Sequence, residues 1–139
     1  MTTSVLLCGV GGQGILKLND LLAEAALLSG FDVKGNEVHG MAQRGGSVVC
    51  QLRFSRDQVY SPLIPAGDAD FIVSLEKIEA LRYSSFLKPE GKVVVNDFKI
   101  IPTTVSIGQA KYPEHAETLL SETFHDLTIL PAQDIAQEA

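Results

Sequence analysis

Cysteine is nearly absent from this chain of 139 residues: Cys8 and Cys50 are the only two. Two thiols cannot supply the four ligands of an iron–sulfur cluster. Without a Cys-x-x-Cys spacing they do not suggest a zinc site or a redox dithiol either. Each lies in an apolar stretch, "VLLC" and "SVVCQL", and reads as a buried strand thiol. If the chain takes part in electron transfer, its own side chains do not carry the electrons. Basic residues are also scarce, 11 against 17 acidic ones, for a net charge of −6. That balance argues against a nucleic-acid partner, which needs a clustered basic surface, and leaves room for a basic partner protein. No apolar run is long enough to span a bilayer. "MTTSVLLCG" lacks the basic start and small-residue cleavage site of a signal peptide. The expected location is the cytoplasm, with no membrane partner.

What is present fits one domain, residues 1–139, with 45% apolar residues and enough length to bury a core. "SVLLCG" is a continuous apolar run of the kind that forms a strand buried on both faces. Ile15, Leu18, Leu22, Ala25 and Ala26 follow at helical spacing, and Gly30 supplies a stop. Leu16, Leu21, Leu27 and Leu28 widen the apolar surface and predict a helix buried on more than one side. Further strands are predicted at Phe31–Val38, Ser47–Phe54, Phe71–Leu75 and Lys92–Asn96, with Val48, Cys50, Leu52 and Phe54 on one face. "EKIEALRYSSFL" predicts a helix with Ile78, Leu81 and Leu87 inward, and "KPEG" a turn. "TTVSI" offers a short strand, Glu114–Phe124 a helix, "LTIL" a last strand, and "PAQDIAQEA" a helix with Pro131 at its start. Strands alternating with helices predict an α/β fold, a Rossmann-like three-layer sandwich with a mostly parallel central sheet. The C-terminus reads as truncated, because the last strand needs cover on both faces.

"GVGGQG" fits G-x-G-x-x-G, with Gly9, Gly11 and Gly14 in the three places and Gly12 and Gln13 between them. A strand precedes it and a helix follows. The first glycine permits a tight turn, the second a close approach of backbone to ligand, and the third close packing of helix on strand. The helix start offers free N–H groups and a positive dipole end to an anion. A dinucleotide is one candidate ligand, with Glu37 near the place where such a site holds a ribose. Another anion, a protein contact and a purely structural turn remain alternatives. No His–Asp or Lys–Tyr arrangement follows later in the chain.

The second constellation is "NEVHGMAQRGGSVVCQLRFS". Its loop sets His39, Met41, Gln43 and Arg44 among Gly40, Gly45 and Gly46. Arg44 can clamp a phosphate or carboxylate with two parallel bonds, His39 can exchange a proton near neutral pH, and Met41 can pack on a ring or a thioester tail. The plainer readings are a satisfied loop histidine, an arginine paired with a carboxylate, and a core methionine. If the first two strands lie side by side, both glycine loops emerge at neighbouring C-terminal ends, where open α/β sheets place their ligands.

"GVGGQGIL" followed by "EVHGMAQRGGSVVCQLRFS" resembles the γ-type domain of the 2-oxoacid:ferredoxin oxidoreductases, and within them the indolepyruvate branch. "GDADFIVSLEKIEALRY", "KPEGKVVVN" and "LPAQDIAQEA" fall in the family's order. "KLND", Lys17–Asp20, departs from it in being more polar. The resemblance implies oxidative decarboxylation of a 2-oxoacid, of arylpyruvates in this branch, to an acyl-coenzyme A with ferredoxin reduced. It implies that thiamine diphosphate, Mg and the iron–sulfur clusters sit on a larger partner subunit, with coenzyme A as co-substrate and no cofactor held by this chain alone. It implies no catalytic residue here, and carries over Gly9, Gly11, Gly12, Gln13, Gly14, His39, Gly40, Met41, Gln43, Arg44, Gly45 and Gly46 as motif positions. A γ subunit of a pyruvate or 2-oxoglutarate ferredoxin oxidoreductase is the nearest alternative. A free-standing NAD- or FAD-binding Rossmann protein and a scaffold whose glycine loops are subunit contacts are two more, and a homodimer stays open.

Overall fold

The structure, a computed structural model, describes residues 1–39, 45–100, 108 and 111–139, with His39 described by its backbone alone. The strands are β1 (Thr3–Val10), β2 (Asp32–His39), β3 (Ser47–Ser55), β4 (Ala69–Ser74), β5 (Leu87–Asn96) and β6 (Asp126–Leu130). The helices are α1 (Ile15–Leu28), α2 (Lys77–Arg82), α3 (Ala116–Thr123) and α4 (Ala132–Glu138). All six strands form one sheet in the order β2-β3-β1-β4-β5-β6. The run β1-β4-β5-β6 is parallel, while β3 is antiparallel to both β1 and β2. The expected α/β layering with a mostly parallel sheet is borne out.

β1 sits between two neighbours and is apolar on both faces, so alternate residues enter different cores. Leu6 and Cys8 join Val49, Ile72, Val93 and Val95, covered by Ala80 of α2 and Leu120 of α3. Val5 and Leu7 join Val48, Cys50 and Leu52 under Ile15 of α1. The predicted face of β3 is therefore correct.

Four expectations change. β1 and β2 are not neighbours, because β3 runs between them. α1 is not buried on several sides: Ile15, Asn19 and Ala26 are buried, whereas Leu21 and Leu28 are 56% and 83% exposed. The helix lies on a single sheet layer, which can bury only one stripe of it. The helix expected from Glu76 ends at Arg82 and passes through a 3-10 turn, Ser84–Phe86, into β5. "KPEG" lies within β5 as a bulge, since Ala69 and Phe71 of β4 face Leu87 and Lys92. "TTVSI" lies outside the described residues.

Candidate functional site

The glycine turn leaves β1 at the C-terminal edge of the sheet. Gln13 accepts from the Val10 N–H at 2.8 Å through Oε1 and donates from Nε2 to the Leu75 carbonyl at 2.9 Å. Its side chain therefore ties the turn to the end of β4. The Leu75 N–H in turn donates to the Cys8 carbonyl at 2.9 Å. A Cβ at Gly9 would lie 2.9 Å from Gln13 Oε1 and 2.9 Å from Ile15 Cδ1. The close approach of helix to strand thus rests on the first glycine, not on the third.

Gly14 has φ +89° and stands at the N-cap of α1 with no side-chain cap and no acid in the first turn. A left-handed conformation there favours glycine. The first N–H groups of a helix have no partner within it, and here no capping side chain takes them. Beside them lies a cleft of about 540 Å³ whose lining includes Gly11, Gly12, Gly14, Leu16, Lys17 and Val48. A second cleft of about 460 Å³ flanks the same turn, between Gln13, Leu75, Asn96, Phe98 and α4. Asn96 is occupied within it, accepting from the Ala132 N–H at 2.9 Å.

The second glycine loop reaches this turn by a route other than adjacent strand ends. β1 pairs with β3 from Thr3↔Phe54 to Val10↔Ser47. The ladder then takes one further step: the Gly11 N–H donates to the Gly46 carbonyl at 2.8 Å. Gly45 and Gly46 are thereby brought to the turn. His39 closes β2 opposite Val48. Gly40, Met41, Gln43 and Arg44, and the His39 side chain, lie outside the described residues.

The same topology weakens the dinucleotide reading. Glu37 pairs with Cys50, which pairs with Leu7 of β1. It stands two strands from β1, roughly 10 Å across the sheet, and level with the middle of β1. Neither thiol suits a metal. Burial pushes Cys8 up to about 12, eased slightly by Ser74, and burial with the nearby Glu37 and Asp20 carboxylates pushes Cys50 up to about 11. Among the described residues no group of three or more His, Cys, Asp or Glu side chains is placed to hold a metal ion. An iron–sulfur cluster does not fit this chain's two buried thiols.

Sequence reasoning missed a buried acidic pair beside the site, Glu76 and Glu79, 1% and 4% exposed. Glu76 caps α2 by accepting from the N–H groups of Ile78 and Glu79 at 2.7 and 3.1 Å. Its other oxygen accepts from the Tyr112 hydroxyl. Burial and that bond raise the Tyr112 phenol above its ordinary value. Glu79 accepts from the Ser47 hydroxyl and from Arg82 Nε. Acidic residues three apart look like a solvated helix face; the only available signal was an acid directly before a helix start.

The profile described as Pyruvate ferredoxin/flavodoxin oxidoreductase matches residues 4–139. The chain belongs to that family. It is 43% identical over 141 residues to the indolepyruvate oxidoreductase subunit IorB of Archaeoglobus fulgidus, covering 100% of this chain and 69% of that relative. The expected resemblance to the γ-type oxidoreductase domain is therefore borne out. The fold recurs in the pyruvate oxidoreductase subunit PORC of Thermotoga maritima, with TM-score 0.70 and 21% identity over 99% of this chain and 66% of that one. It recurs too in the 2-oxoglutarate:ferredoxin oxidoreductase of Magnetococcus marinus, with TM-score 0.68 and 18% identity over 99% of this chain and 21% of that one. The chain spans about two thirds of the curated family member and a fifth of the Magnetococcus chain. Among the described residues no helix is long and apolar enough to cross a membrane.

Proposed function

We propose that this chain serves as the thiamine-free, cluster-free subunit of a 2-oxoacid:ferredoxin oxidoreductase, and that its glycine edge binds an anionic group of coenzyme A. The complex decarboxylates a 2-oxoacid oxidatively, forms the acyl-coenzyme A and passes electrons to ferredoxin. A larger partner subunit holds thiamine diphosphate with Mg and the iron–sulfur clusters; thiamine supplies the electron sink for decarboxylation. The substrate is an arylpyruvate, a reading supported by 43% identity to an indolepyruvate oxidoreductase subunit across the whole chain. Exposed leucines such as Leu21 and Leu28 on α1 give the partner an apolar surface to cover.

One observation carries the site assignment: the Gly11 N–H on the Gly46 carbonyl joins both glycine motifs beside the uncapped start of α1. Backbone donors at a helix N-terminus favour an anion, Lys17 lines the same cleft, and Arg44 directly precedes Gly45 and Gly46 in the sequence. The 2-oxoglutarate enzyme of similar fold is described with coenzyme A bound, which supports this choice of anion. Arg44→Ala in the reconstituted two-subunit complex tests the reading. The expected result is a weaker apparent affinity for coenzyme A. Unchanged affinity together with unchanged turnover would refute it.

A further inference from the structure

Glu79 of α2 lies outside the anion-binding edge, yet it contacts Ser47 at the start of β3. Ser47 is the first residue of β3 and directly follows Gly46, whose carbonyl receives the Gly11 N–H. The Ser47 hydroxyl donates to Glu79 Oε2 and lies 3.0 Å from the Tyr83 hydroxyl. Serine has one hydroxyl proton, so once it is given to Glu79 the Tyr83 O–H must donate to Ser47 Oγ. The second oxygen of Glu79 accepts from Arg82 Nε at 3.2 Å. Both oxygens of Glu79 thus accept a hydrogen bond, and a buried carboxyl group needs such partners.

The start of α2 is tied to the sheet beneath the relay. Glu76 holds the first N–H groups of the helix, and the Ser74 hydroxyl donates to the Glu76 carbonyl at 2.6 Å. Ser74 in turn ends β4, which is paired with β1 at Cys8↔Ser74. A continuous set of contacts therefore runs from β1 through β4 and α2 back to Ser47. The ladder bond Gly11–Gly46 closes it.

We propose that Glu79 is a positioning residue: through Ser47 it fixes where Gly46 meets the glycine turn, and so sets the geometry of the anion edge. This rests on the coenzyme A reading above. An amide at position 79 has a single acceptor oxygen, so Glu79→Gln can no longer accept from both Ser47 and Arg82. Ser47→Ala removes the relay, whereas Ser47→Thr keeps the hydroxyl on a strand residue that tolerates branching.

The test is steady-state kinetics of the reconstituted complex with coenzyme A varied. Ser47→Ala and Glu79→Gln are each expected to raise the KM for coenzyme A about tenfold, as loss of a bond to a charged group does, with kcat within about twofold. Ser47→Thr should return KM to within about twofold of wild type. If Glu79→Gln does not fold, the Ser47→Ala and Ser47→Thr pair decides alone. Unchanged KM in Ser47→Ala, whether or not its stability falls, overturns the positioning role while an effect of Arg44→Ala keeps the reading of the edge. No effect of Arg44→Ala fails that reading and the inference with it.

Discussion

The parallel and antiparallel halves of the sheet supply the same edge in different ways. In β1-β4-β5-β6 every strand runs toward the glycine turn, so Leu75 and Asn96 arrive there as strand ends. In β2-β3-β1 the strand next to β1 starts at that edge, and the second loop is the hairpin connection between β2 and β3. The parallel half thus offers a topological crevice of the usual kind, while the antiparallel half adds a second loop without a crossover helix. The cost to the dinucleotide alternative is direct: inserting β3 moves Glu37 one strand further from the turn.

If the halves form one cooperative unit, deleting a core leucine in either should cost alike. Leu120→Ala under the parallel half and Leu52→Ala in the antiparallel half, both at most 1% exposed, should each lose about 3 kcal/mol. Urea unfolding should retain one transition in both variants; two separated transitions in either would split the halves. Gly9→Ala at the seam should cost about 2 kcal/mol, since the new Cβ meets Ile15 and Gln13 in a packed place.

A smaller effect concerns the thiols. Cys8 and Cys50 are held protonated by burial, near 12 and 11, so neither should react with a disulfide reagent at pH 8, and both should react in urea. The raised folded values stabilise the fold fully below the unfolded thiol value of about 8.5. That contribution is lost as pH rises through 11 to 12, because the unfolded chain ionises first. Rapid reaction of either thiol in the folded protein would contradict the burial. The smallest expected effect is Glu37→Ala, within about 0.5 kcal/mol of wild type in urea unfolding and with unaltered coenzyme A affinity. A weakened affinity would return Glu37 to the site.

Much of this organisation was legible in the residues. The run "SVLLCG" predicted a strand buried on both faces, and alternation in "SVVCQLRFS" predicted its inward face. The glycine spacing located the turn. The order of strands was not legible, because a hairpin and a crossover leave the same local patterns in β1, β2 and β3. The leucines of α1 misled for a related reason: composition counts apolar side chains but does not say how many layers lie against them. Glu76 and Glu79 were invisible because their burial depends on Tyr112 and Ser47, distant in sequence.

The central claim is that the glycine edge of this chain binds an anionic part of coenzyme A. Amide hydrogen exchange of the assembled complex, read in peptides covering residues 9–17 with and without coenzyme A, tests it most directly. Slower exchange at the start of α1 on adding coenzyme A is the predicted result. Exchange there that coenzyme A leaves unaltered at saturating concentration would contradict it.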